Sequence, residues 1–217
     1  MSKRQPVEAL RTALGELLPR DLGPGLLFEA LRPLPTLPRS DEEVAALVHG
    51  SLRDALIRRA GETRGAALAE RLAQRIREER PPRDADATRS MPTLRHPVPV
   101  VFVAAGDGFS DKLTASLGPK RIEALPCHDL DEFQRALRRE EIALAVVDAS
   151  DFAPIEPKEL AEALSTLRAT TARVVWSASL PYGRALIASL GDQATVSLEA
   201  DEGIEPLLDL IRSRHAR

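Results

Sequence analysis

The chain has 217 residues, 43% hydrophobic and 29% charged, with a formal net charge of −3 at pH 7. That is ordinary for a globular protein of one large or two small domains, and without a long block of one sign it argues against nucleic acid or an anionic membrane as partner. Cys127 is the single cysteine, which excludes an intramolecular disulfide and a cysteine metal cluster.

No apolar run approaches the roughly 18 residues of a membrane span. The opening MSKRQPVEAL has no signal-peptide core, so a cytoplasmic location is expected. Arginine far outnumbers lysine and alanine is abundant, a bias that suggests a GC-rich bacterial genome.

Residues 1–80 carry helical punctuation only. PVEALRTALGELL sets Val7, Leu10, Leu14, Leu17 and Leu18 on one stripe, with Pro6 suited to a first turn. GPGLLFEALRPLPTLP predicts a short helix over Leu26–Leu31, ended by Pro33. SDEEVAALVHGSLRDALIRRAG reads as one helix, opened by a capping box of Ser40 and Glu43 and closed by Gly61. Its face is Val44, Leu47, Val48, Leu52, Leu56 and Ile57. A last helix, ETRGAALAERLAQRIREE, turns Leu68, Leu72 and Ile76 inward. The expectation is a small all-α bundle of about four helices. Its acidic and basic residues nearly balance, and the run RDALIRRAGETRG reads as a solvated helix face, not a DNA-docking surface. Residues 81–97, PPRDADATRSMPTLRHP, lack any period and read as a flexible linker.

From residue 98 the rhythm changes. Strand VPVVFVAAG is followed by helix GFSDKLTASLG, strand RIEALP, helix LDEFQRALRRE, strand IALAVVD and helix EPKELAEALSTLRA. Then come strand ARVVWSAS, helix YGRALIASLG, strand ATVSLE and helix DEGIEPLLDLIRSR. Five such alternations with apolar strands predict an α/β domain over 98–217, a five-stranded parallel doubly wound (βα)5 sheet. Sites in that architecture form at the carboxyl ends of strands. Asp148 stands at such an end.

This order, the apolar third strand ending at Asp148 and the fourth ending at Ser177–Ala178 resemble the receiver domain of bacterial response regulators, over essentially the whole of residues 98–217. The resemblance implies that Asp148 occupies the phosphoacceptor position and Ser177 that of the switch hydroxyl. It also implies an interaction face on the fourth helix, fifth strand and fifth helix, around Tyr182–Leu190 and Ile204–Ile211. Trp176, Tyr182, Ile187, Leu207 and Ile211 are the candidate contact residues, the two aromatics because such types are enriched at interfaces, although Trp176 reads equally well as packing under the fourth helix.

The chain departs from that family in its charges. An active receiver holds Mg²⁺ with an acidic pair after its first strand, because phosphoryl transfer needs the charge on the transferring oxygens neutralised. Ala104 and Ala105 stand there, and neither methyl supplies an oxygen ligand. Asp107 is the one local substitute. The family's lysine on strand five is replaced by Leu198 or Glu199. A Glu199 turned toward Asp148 at about 5 Å would repel it by about 3 kcal/mol at an effective dielectric of about 20. The expectation is a pseudo-receiver without phosphate, metal or cofactor, with Asp148 as a vestigial phosphoacceptor.

Rival readings of the same residues are weaker. Gly106 and Gly108 suggest a dinucleotide loop, but Asp111 would meet the pyrophosphate with the wrong charge. Ser177 lacks the frame of a nucleophile elbow. Cys127, His128 and Asp129 are consecutive, and three consecutive side chains rarely converge on one ion.

The function expected is therefore a non-catalytic signalling or scaffold protein related to two-component systems. It would bind other signalling proteins through either domain, with homodimerisation open, and neither nucleic acid nor membrane as partner. The alternatives are a phosphorylation-dependent regulator using Asp148 with Mg²⁺ held by Asp107, and an enzyme or small-ligand domain using the strand-end crevice.

Overall fold

The computed structural model describes residues 6–19, 21–78, 96–138 and 142–215. The predicted linker falls outside the described residues except for His96 and Pro97. The chain forms two compact units, one helical and one built on a sheet.

The helical unit contains α1 (Pro6–Leu17), α2 (Gly23–Leu31), α3 (Asp41–Leu47), α4 (Arg53–Ala60) and α5 (Glu62–Glu78). Its core joins Val7, Leu10 and Leu14 of α1 to Leu26, Leu27 and Leu31 of α2, Val44 and Leu47 of α3, and Leu72 of α5. The Ser40–Glu43 capping box is formed: Ser40 Oγ accepts from the Glu43 N–H at 3.2 Å, and the Glu43 carboxylate accepts from the Ser40 N–H at 3.3 Å.

The helix expected to run from residue 41 to 60 without a break is interrupted. Val48–Leu52 forms a π-helical turn, with Gly50 at φ −104°, ψ −113°. Glycine lacks the Cβ that would oppose that conformation, and the Ser51 hydroxyl ties the turn to α2 through the Ala30 carbonyl at 2.8 Å. The unit thus has five α-helices among the described residues, where about four were expected.

The second unit is a five-stranded, all-parallel α/β sheet in the doubly wound (βα)5 arrangement. Its elements are β1 (Val98–Val103), α6 (Gly108–Leu117), β2 (Ile122–Cys127), α7 (Leu130–Leu137), β3 (Leu144–Asp148), α8 (Pro157–Ser165), β4 (Ala172–Trp176), α9 (Pro181–Leu190), β5 (Thr195–Leu198) and α10 (Glu205–His215). The strand order is β2-β1-β3-β4-β5, the flavodoxin-like order, whose direction of progression reverses between β1 and β3. β3 is buried along its whole length, as its apolar run requires.

Alternation along the strands divides the core. Val101, Val103, Ala145, Val147 and Val175 face one way, packing with Phe133 of α7, Leu160 and Leu164 of α8, and Leu186 and Leu190 of α9. The in-register rows Phe102–Val146–Val174 and Asp148–Trp176–Leu198 face the other way, where Phe109 of α6 meets Phe102 and Trp176.

Pro126 is tolerated inside β2 for a geometric reason. The carbonyls of Arg121 and Cys127 turn toward β1, so by alternation Pro126 presents its missing N–H at the sheet's open edge.

Candidate functional site

The switch point places the ends of β1, β3, β4 and β5 and the loops that follow them on one rim. Asp148, the last residue of β3, is only 6% exposed. Its Oδ1 accepts from the Ser150 N–H at 2.9 Å and from the Ser150 hydroxyl at 2.6 Å. Burial pushes its carboxyl above the ordinary range; hydrogen bonds from Ser150 and the Asp151 N–H oppose that rise, and the charge of Asp151 adds to it. A buried strand ends here on an acid because that acid caps its own loop, as an Asx turn does.

After β1, Ala104 is buried, its N–H donating to the Cys127 carbonyl at 3.2 Å. The Ala105 N–H donates to the Asp151 carbonyl at 2.7 Å, so the loop after β3 crosses the end of β1. Asp107, the substitute metal ligand, faces His128 instead: its Oδ1 lies 3.1 Å from His128 Nε2, while His128 Nδ1 lies 3.1 Å from the Ala104 carbonyl. Both ring nitrogens thus face oxygen atoms, which ties the loop after β2 to the end of β1 and to Asp107.

Cys127, His128 and Asp129 do not converge. The cysteine is buried, the histidine bridges the end of β1 to Asp107, and Asp129 caps α7 by accepting from the Glu132 N–H at 2.7 Å. Among the described residues no group of three His, Cys, Asp or Glu side chains is placed to share a metal ion. Asp111 puts a carboxyl in the first turn of α6, where a pyrophosphate loop needs the opposite, and burial and the charge of Asp107 push that carboxyl up.

Ser177 follows β4 at φ +57°, a rare conformation for a residue with a side chain. It is buried, and its hydroxyl has no hydrogen-bond partner among the described residues. Leu198 is buried opposite Trp176. Glu199 turns to the loop after β4, accepting from the Ser179 N–H at 2.7 Å and the Ser179 hydroxyl at 2.8 Å. The anticipated repulsion between Glu199 and Asp148 is therefore replaced by that of Asp151.

The expected contact face needs correction. Trp176 is 3% exposed with its ring 5.3 Å from that of Phe109, and Leu207 and Ile211 are buried as well. Ile187 is partly buried against the core. Trp176 of β4 and Leu207 and Ile211 of α10 are thus covered within the unit, which leaves Ile187 and Tyr182 as the partly accessible members of that set. Tyr182 is half-buried, its hydroxyl donating to the Ile155 carbonyl at 2.7 Å and its ring stacked on Phe152 at 4.5 Å and 10°.

The exposed apolar groups at this rim are ones the sequence reading missed, Phe152 at 51% and Leu180 at 39% exposure. Each sits in a loop without periodicity, which leaves no pattern to find.

No protein-family model, curated protein or solved structure matches the chain. Among the described residues no helix is long and apolar enough to cross a membrane.

Proposed function

We propose that residues 98–217 form a degenerate receiver that signals by contact rather than by phosphate, a non-catalytic interaction module of a bacterial cytoplasmic scaffold protein. The observation that carries this reading is the commitment of Asp148 to Ser150. A phosphoacceptor must offer a free, ionised oxygen next to a bound cation. Asp148 is buried, its carboxyl is pushed toward the neutral form, and its Oδ1 already accepts twice. Ala104 and Ala105 offer no metal ligand, and Leu198 and Glu199 offer no cation to pair with an acyl phosphate. The helical unit serves as a second point of attachment for signalling partners or for a second copy.

The reading is tested by exposing the full chain to Mg²⁺ and acetyl phosphate and recording its intact mass. An unchanged mass is expected. A gain of one phosphoryl group, absent in Asp148→Asn, would establish the phosphorylation-dependent alternative in its place.

A further inference from the structure

We infer that the strand-end rim docks a basic protein segment with an apolar anchor, seated over Phe152, Leu180 and Tyr182. This rests on the contact reading above and gives it a partner class.

The apolar centre is built and held. Phe152 projects from the loop after β3 and stacks flat on Tyr182, whose hydroxyl is fixed to the Ile155 carbonyl. Leu180 stands at the N-cap of the same helix. That helix is pressed onto the preceding loop at Gly183, where an added Cβ would lie 2.7 Å from the Ala178 carbonyl oxygen. Ser179, between Ala178 and Leu180, is gripped twice by Glu199. A platform fixed in this way loses little freedom on binding, which favours affinity. A half-exposed aromatic ring held rigid is also the kind of residue that dominates interface energetics.

Charge selects the occupant. Asp151 precedes Phe152 and is exposed, Glu156 bears on the Tyr182 phenol, and Glu199 flanks Leu180 through Ser179. Lys158 and Arg184, in the first turns of α8 and α9, are the exposed cations on these elements, and the acids outweigh them. An apolar centre inside a negative rim complements a segment whose Lys or Arg residues surround a large apolar side chain. It repels acidic peptides, nucleic acid and anionic lipid. Arginine gains further by stacking on exposed ring faces.

The test is selection of a random 16-residue peptide display library against the full chain, followed by affinity measurement with the selected peptides. Peptides with net positive charge and a Leu, Phe or Trp anchor are expected. Phe152→Ala and Asp151→Lys, both surface changes, should each weaken them about tenfold, while Val196→Ser on β5 should leave affinity unchanged with the thermal melt preserved. Selection of acidic or uncharged peptides, no enrichment, or indifference to Phe152→Ala overturns the inference. The phosphate-transfer measurement on the same preparation separates the two claims. A mass gain there would remove the contact reading itself, whereas failed peptide selection with unchanged mass removes only the basic-segment inference.

Discussion

Ser150 donates twice to one oxygen of Asp148, from its N–H at 2.9 Å and from its hydroxyl at 2.6 Å. The acid and the serine lie two residues apart, so the contact is local, and it satisfies a carboxylate that the sheet has taken out of water. The remaining imbalance is electrostatic, because burial and Asp151 still push the carboxyl toward its neutral form.

That imbalance has a sign. A carboxyl whose pKa rises on folding adds stability below the unfolded pKa of about 3.9, and that stability is lost as pH climbs through the higher folded value. Asp148→Asn keeps an oxygen for Ser150 without the charge. It should be at least as stable as the parent at pH 7, by about 1 kcal/mol or about 2–4 °C in Tm, with the gap closing toward pH 4. Thermal melts across that range check it.

Tyr182 gives a second pH signature. Burial first, and Glu156 second, raise its phenol to about 12. The stability it lends is complete below about pH 10, the unfolded value, and is lost as pH rises through about 12. Since Tyr182 is the only tyrosine, phenolate absorbance should titrate near the upper value in the folded protein and near the lower one in denaturant. Tyr182→Phe should cost about 1 kcal/mol near neutral pH through the lost bond to Ile155.

Two glycines should respond with opposite signs. At Gly183 an added Cβ would sit 2.7–3.0 Å from backbone atoms of Ala178, so Gly183→Ala should cost about 1–3 kcal/mol by forcing α9 off the loop. At Gly15, on the exposed side of α1, a Cβ meets nothing within 4 Å. Gly15→Ala should therefore stabilise by about 0.5–1 kcal/mol. Urea unfolding midpoints decide both.

The two alanines after β1 should also separate. Ala104 is 4% exposed, and Ala104→Asp places a charge in the sheet's interior, expected to cost about 2–4 kcal/mol. Ala105 is exposed, and Ala105→Asp should stay within about 0.5 kcal/mol of the parent. Equal tolerance of both would mean that the end of β1 is looser than its bonds to Cys127 and Asp151 indicate.

What the sequence disclosed is what periodicity and punctuation record. Val98–Val103 and Leu144–Val147 are near-continuous apolar runs between helical stretches, and Ser40 with Glu43 spells a cap whose bonds are local, so strands, crossovers and that helix start were readable. Gly50 was not, because one glycine within a continuous apolar face is equally compatible with an unbroken helix. Leu207 and Ile211 were placed on a contact face by the receiver resemblance, which assigns a face of the fold but not which of its side chains are already covered. The capture of Asp148 had a faint signal, a hydroxyl two residues after an acid at a strand end. The bridge from His128 to Asp107 had none, since it joins loops after different strands.

Trp176 is the chain's only tryptophan, and it is buried against Phe109. Its emission should therefore lie toward the blue and report loss of packing in the sheet unit alone, with the helical unit optically silent at that wavelength. Far-ultraviolet dichroism, which α1–α5 also feed, would follow both units. Divergence of the two traces during denaturation would measure how independently the halves melt.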